Sequence, residues 1–177
     1  MKKLAWIALV FLIGCDSNES VDLNSVAQAI SEKATELNEA IDPETLTDLQ
    51  NLFAAFSNGL ESGNIAKIRE KSKEIDDYLG SRIWGWYAEI YEAYLAGGSS
   101  AAEDKIKSIE GLYGTRQYER DALDAISKGL ESNLGLKDGT ILESVAVQSL
   151  RSKFGDMVAE VVVTVVLGAL VACRHGC

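Results

Sequence analysis

The chain has 177 residues, of which 17 are Lys or Arg and 27 are Asp or Glu, so its formal net charge at pH 7 is −10. A surface this acidic repels phosphates, and we expect no nucleic-acid partner. His175 is the only histidine, which excludes most Ser-His and Cys-His nucleophile mechanisms, and we predict no cofactor.

The first residues have the layout of a secretory leader. Two lysines precede ten apolar residues, Leu4 to Ile13, and the small Gly14 stands before Cys15. Ten helical residues rise only about 15 Å, half of the roughly 30 Å hydrocarbon core of a bilayer. We therefore predict a cleaved signal peptide, with an N-terminal core helix as the alternative.

The end of this leader, Leu12-Ile13-Gly14-Cys15, resembles the lipobox of bacterial lipoproteins. The resemblance implies cleavage after Gly14 and acylation of Cys15, with palmitate-like chains that would hold the protein on a membrane. Asp16 resembles the signal that retains such lipoproteins at the inner membrane, although it also suits a polar linker. The expected location is the periplasmic face of the inner membrane, with the outer membrane as the alternative.

Processing at this site would divide the chain into a signal peptide (1–14), a lipid-anchored tether (15–21) and a single periplasmic domain (22–177). The leader takes two lysines with it, which leaves 15 basic against 27 acidic residues and a net charge of −12. Attachment to a membrane would then depend on the lipid and not on a basic patch.

The body of the chain predicts an all-α fold. Apolar residues recur at spacings of three and four, and sustained alternation of period two is absent from the sequence. The first predicted helix starts near residue 21, and "DPET" at 42–45 has Pro at the first position of the next helix. Glycine-containing breaks follow at 63–64, 80–81, 97–100, 113–115 and 134–140. These signals predict about seven helices joined by short loops.

Part of the chain aligns with itself at a shift of 34 residues, which places Phe53 on Tyr87 and Gly63 on Gly97. Over residues 43–114 this period resembles the tetratricopeptide repeat, a helix-turn-helix unit of 34 residues. The resemblance implies stacked helical hairpins.

The second copy carries further tetratricopeptide-like positions: Trp86 at the first signature position, Gly97 in the turn and Ala102 where the two helices approach closely. In this copy Glu89-Ile90 replaces the family's Leu-Gly pair and Ala93 replaces its Tyr, and no proline closes either unit. A competing match at a shift of 70 relates residues 55–62 to 125–132. Stacked hairpins and an irregular helical bundle are therefore both predicted as architectures.

Segment 81–97 concentrates aromatic residues, namely Trp84, Trp86, Tyr87, Tyr91 and Tyr94. Because Trp and Tyr anchor many protein interfaces, these are candidate partner-binding residues. Helical spacing of the rings favours the other interpretation, a central helix whose rings fill the core. Trp84 and Trp86 are about 200° apart around a helix, so we expect that only one of them faces inward.

Near the C-terminus, Val161–Cys173 is a run of thirteen residues without charge. The run is shorter than the roughly twenty residues of a spanning helix, so we predict an apolar helix at the centre of the domain, with a membrane-inserted segment as the alternative. Cys173 and Cys177 form a candidate disulfide in an oxidising compartment. Two free thiols, or a metal site with His175, are the alternatives, and we assign no metal site.

These features favour binding over catalysis. We predict a membrane-anchored lipoprotein that binds another protein as a scaffold or adaptor in an envelope assembly. An immunity or exclusion protein that intercepts a basic toxin or effector is the first alternative, because an acidic surface would speed that encounter.

A carboxylate-dependent cell-wall enzyme is the second alternative. Glu61, Glu131 and Glu143, each followed by serine, match only the start of the motif of helical peptidoglycan lyases. A cleft with one buried glutamate of raised pKa would favour this reaction. We assign no catalytic residue.

Overall fold

The computed structural model describes residues 43–112, 115–132, 134–155 and 159. Within these ranges the chain forms five α-helices and no strand, which confirms the all-α prediction. The helices are α1 (Pro43–Ser62), α2 (Ile65–Leu79), α3 (Ile83–Leu112), α4 (Gln117–Glu131) and α5 (Gly139–Phe154). The predicted helix from residue 21 and the apolar helix over 161–173 lie outside the described residues, so the total of about seven helices stays a prediction.

The predicted breaks coincide with helix ends that are capped by nearby residues. Asn64 is the N-cap of α2, and its Oδ1 accepts a hydrogen bond from Lys67 N at 3.1 Å. α2 ends at Leu79 and is followed by the capping residue Gly80, whose φ of +67° is the left-handed conformation that glycine adopts without strain. At the start of α5, Asp138 Oδ1 accepts from Thr140 N at 2.9 Å. These ends follow from local sequence alone.

α3 reverses its direction at the predicted 97–100 break. Gly97 (φ −148°, ψ 15°) and Gly98 (φ +71°, ψ −161°) depart from helical geometry. Lys105 Nζ lies 2.7 Å from Glu89 Oε2, whereas sixteen residues of straight helix would separate these positions by about 24 Å. The second half of α3 therefore folds back along the first. We call the two segments α3a (83–96) and α3b (99–112).

α3a lies at the centre of the described core. Its Trp84 ring packs edge-on against Phe53 and Phe56 of α1, with ring centroids 5.0 Å apart in both pairs. Trp84 Nε1 donates a hydrogen bond to Ser149 Oγ of α5 at 2.9 Å, so the polar atom of the indole has a partner inside the core. The same helix thus connects α1 and α5.

Packing follows chain order for the most part. Each helix packs on the next one in the chain, and α5 additionally contacts α2 and α3. These added contacts place α5 against α2 and against the side of α3a that carries Trp84. The opposite side of α3a, toward α2 and α3b, is left to form the site described next.

Candidate functional site

The structure places most of the predicted aromatic anchors in the core. Trp84 and Tyr87 have no exposed surface, and Tyr91 retains 1%. The hydroxyl groups of Tyr87 and Tyr91 each donate a hydrogen bond to a main-chain carbonyl. Tyr94 packs at the edge of the core and is partly buried. Because rings enclosed by their own chain are not accessible to a partner, this burial favours the core interpretation of the segment over the partner-binding one.

Trp86 is buried as well, on the other side of α3a. It is 5% exposed, and the guanidinium of Arg82 lies over its ring, 5.1 Å from the centroid. Arg82 Nη2 in turn lies 3.2 Å from an oxygen of Glu119 on α4. The expectation that Trp84 and Trp86 could not both face inward was wrong, because α3a is covered on two sides.

Trp86 also lines an open groove between α2 and α3, of about 880 Å³, which we call the α2–α3 groove. Its charged lining residues are Arg69, Lys73, Asp76, Arg82, Glu89, Glu92 and Lys105. Apart from Trp86, the other lining residues are small: serine, glycine and alanine. α2 borders one side, Lys105 of α3b stands on the other, and α3a provides the floor.

Two ion pairs connect the floor of the groove to its sides. Glu92 pairs with Arg69 of α2, and Glu89 Oε2 lies 2.7 Å from Lys105 Nζ of α3b. The four side chains keep 35% to 60% of their surface exposed. Ion pairs this exposed contribute only about 0–1 kcal/mol to stability. Their charges are therefore available for exchange with the charges of a ligand.

Asp76 lies where the groove meets the α2–α3a corner. Its carboxylate accepts hydrogen bonds from Ser81 Oγ, from Trp84 N at 3.1 Å and from Gly85 N at 2.7 Å. Burial raises the pKa of this carboxyl above its ordinary value of 3.8, and the hydrogen bonds oppose that rise. Trp84 N and Gly85 N belong to the first turn of α3a, and Ser81 lies just before it. Asp76 therefore caps the N-terminus of that helix and also lines the groove.

Glu119 is the buried carboxylate that sequence reasoning missed. It is 2% exposed, and it accepts a hydrogen bond from Arg116 N at 2.8 Å in addition to the Arg82 pair. Its position in the first turn of α4 is the one that a capping glutamate takes. The glutamates named from the lyase-like motif, Glu61, Glu131 and Glu143, are exposed.

The remaining predicted site residues lie outside the described residues; they are Cys15, Asp16, Cys173 and Cys177. Among the residues that the structure describes, no group of three or more His, Cys, Asp or Glu side chains could hold a metal ion. The same part of the chain contains no helix with the length and apolar character needed to cross a membrane.

The charged residues of the groove carry a periodic signal in the sequence, although none of them was predicted as a site residue. Arg69, Lys73 and Asp76 repeat at intervals of four and three, and so share one face of α2. Glu89 and Glu92 share a face of α3a by the same rule. Helical periodicity could have identified the two faces separately. That they border one groove depends on how α2 and α3a pack.

No protein-family model, no curated protein and no solved structure matches this chain.

Proposed function

We propose that this protein is a lipid-anchored envelope protein that binds another protein, as a scaffold or adaptor, through the α2–α3 groove. The observation that carries the proposal is an open groove of about 880 Å³ bordered by half-exposed charged side chains. Small-molecule sites are enclosed and mostly apolar. An open groove with charged sides is better suited to a segment of polypeptide.

The N-terminal sequence supports the anchored location. The lipobox resemblance provides the lipid at Cys15, and Asp16 favours the periplasmic face of the inner membrane. The mature chain carries a net charge of −12, so the folded domain gains no attraction to anionic lipid headgroups or to nucleic acid. Its groove is therefore proposed to serve a protein.

Stacked tetratricopeptide-like hairpins are the architecture that we propose for residues 43–114. The 34-residue shift aligns Gly63 with Gly97, and both lie where the chain reverses. It also aligns Phe53 with Tyr87, and both are buried in the core. On this basis α1–α2 and α3a–α3b are successive hairpins, and the groove lies where they adjoin. Binding surfaces of helical repeat proteins form between stacked units in the same way.

The carboxylates near the groove support binding over catalysis. Glu119 pairs with Arg82 and caps α4, and Asp76 caps α3a. A general acid or base must direct its proton or lone pair toward a substrate. The oxygens of Asp76 and Glu119 are directed toward main-chain N–H groups, the Ser81 hydroxyl and a guanidinium. The other two lining carboxylates, Glu89 and Glu92, pair with Lys105 and Arg69.

Site-specific photocrosslinking in the producing bacterium tests the proposal. A photoreactive amino acid replaces Ala96, an exposed residue of the groove, and in a matched strain it replaces Glu143, an exposed residue of α5. We expect a discrete adduct with another envelope protein from position 96 and none from position 143. Equal adducts from both positions, or no adduct from position 96, would overturn the proposed role of the groove.

A further inference from the structure

We infer that the α2–α3 groove receives an acidic segment of the partner, whose carboxylates replace Glu89 and Glu92 on the basic side chains of the groove. The inference rests on the proposed function and specifies the chemistry of the partner.

The basic residues stand on both sides of the groove. Arg69 and Lys73 extend from α2, Lys105 extends from α3b, and Arg82 lies at the α2–α3a corner. Each of the two outer cations, Arg69 and Lys105, is neutralised by a glutamate of the groove floor. Those glutamates are three residues apart, on adjacent turns of α3a. Two carboxylates three residues apart can therefore pair with cations on both sides of the groove at once, as Glu89 and Glu92 do.

These internal pairs are easily displaced. Arg69 is 60% exposed and Glu92 is 44% exposed, so water screens their attraction strongly. A partner carboxylate that covers Arg69 also excludes water from it, which strengthens the new pair relative to the old one. The displaced Glu92 turns outward into solvent, where its charge needs no partner.

A basic segment fits the same groove poorly. Glu89 and Glu92 are the only exposed carboxylates that the described lining offers it, and it would lie beside the cations Arg69, Lys73 and Lys105. Asp76 offers it little, because that carboxylate already accepts hydrogen bonds from Ser81 and from the first turn of α3a. Four basic and three acidic residues line the groove among those described, in a chain of net charge −10. Two of the basic residues, Lys73 and Arg82, also pair with carboxylates outside the lining, those of Asp77 and Glu119.

The acidic surface elsewhere does not prevent this docking at physiological ionic strength. The Debye length there is about 8 Å, so charges on distant helices are largely screened. Cations that touch the bound segment are screened much less. Contact with Arg69, Lys73 and Lys105 therefore decides the preference.

Fluorescence anisotropy with labelled oligoglutamate and oligolysine of equal length, added to the purified full chain at about 0.15 M salt, tests the inference. We expect the oligoglutamate to bind more tightly. The paired substitution Glu89→Gln/Glu92→Gln should increase its affinity by about threefold or more, because the internal competitors are removed. Arg69→Gln/Lys105→Gln should decrease it by about tenfold, equivalent to two lost charge contacts.

Matched controls change the net charge equally but outside the groove. Glu131→Gln/Glu143→Gln controls the first pair, and Lys107→Gln/Lys128→Gln controls the second; all four residues are exposed. Each control should leave the oligoglutamate affinity within about twofold. Circular dichroism of every variant verifies that it is folded.

The other outcomes separate this inference from the proposed function. Tighter binding of oligolysine that Glu89→Gln/Glu92→Gln weakens would assign a basic partner and overturn the inference. Oligoglutamate binding that the groove and control variants change equally would do the same. If neither probe binds while position 96 still crosslinks to a partner, the acidic segment is wrong and the proposed function stands. If both experiments are negative, both proposals fall.

Discussion

The carboxylate of Asp76 on α2 accepts a hydrogen bond from Gly85 N on α3 at 2.7 Å, so one helix supplies the N-terminal cap of the next. The main-chain oxygen of Asp76 also accepts from Ser81 N at 3.1 Å at the end of α2. Asp76 thus contacts both the end of α2 and the first turn of α3, at the corner between the two helices that border the groove.

Replacing Asp76 with alanine should destabilise the protein by about 1–2 kcal/mol, because the first turn of α3a loses its cap. Asp77→Ala is the matched control: its carboxylate is exposed and pairs with Lys73 on the surface, so we expect a loss below about 0.5 kcal/mol. Urea unfolding followed by circular dichroism measures both. Equal losses in the two variants would show that the cap contributes nothing specific.

The raised pKa of Asp76 predicts a pH dependence of stability. The folded state binds this proton more tightly than the unfolded state, whose pKa is near the ordinary value of 3.8. This contribution is complete below the unfolded pKa and is lost as the pH rises through the folded pKa. Asp76→Asn removes the titration. The free energy of unfolding of the wild type minus that of the variant should therefore decrease as the pH rises from the unfolded pKa through the folded pKa, and should be constant at higher pH. Urea titrations from about pH 3.5 to about pH 7 measure the difference; a difference that increased with pH would contradict the assignment.

Gly98→Ala should destabilise the protein by about 1–3 kcal/mol. The φ of +71° and ψ of −161° at this position are accessible essentially to glycine alone. A Cβ at Gly98 would meet no atom within 4 Å, so the effect comes from the backbone and not from a clash. Gly111→Ala on the same helix, also in open space, should instead stabilise by about 0.5–1 kcal/mol. Thermal unfolding measures the stability of both variants. Equal changes at the two positions would contradict a specific requirement for glycine at the reversal of α3.

Breaking the pair between Arg82 and Glu119 should cost about 2–3 kcal/mol in the variant Glu119→Ala. The loss is large because Glu119 is buried and also satisfies Arg116 N. Glu131→Ala in the exposed last turn of α4 provides the comparison, with an expected change below about 0.5 kcal/mol. Loss of the pair also removes one contact that positions the guanidinium over Trp86, so a change in near-ultraviolet circular dichroism should accompany the destabilisation of Glu119→Ala.

Cys15→Ser should abolish both incorporation of a palmitate analogue and membrane association, because the lipid is the proposed anchor. Metabolic labelling and membrane fractionation measure the two effects, with a chain truncated before Val161 as the comparison. If Cys15→Ser loses the label but remains in the membrane fraction until Val161–Cys173 is also removed, the apolar C-terminal segment is itself a membrane element.

Elements that depend on near neighbours could be predicted from the sequence. Asn64, Gly80 and the pair Gly97–Gly98 stop or start helices through hydrogen bonds and backbone conformations that span only a few residues. Helical spacing favoured a core over an interface for the aromatic segment, but it could not show that Trp84 and Trp86 are both covered. The contact of Trp84 with α1 and α5 is a property of the packed helices.

Spacing, caps and glycines act over a few residues, so the helical character of the described chain and the positions of its helix breaks follow from the sequence. The burial of both Trp84 and Trp86, the capping of α3a by Asp76, and the groove that Arg69 and Lys105 share with Glu89 and Glu92 follow only from tertiary packing. Those relations join residues on different helices or across a chain reversal. They depend on which helix faces meet, and that choice is made by the packing of the whole core.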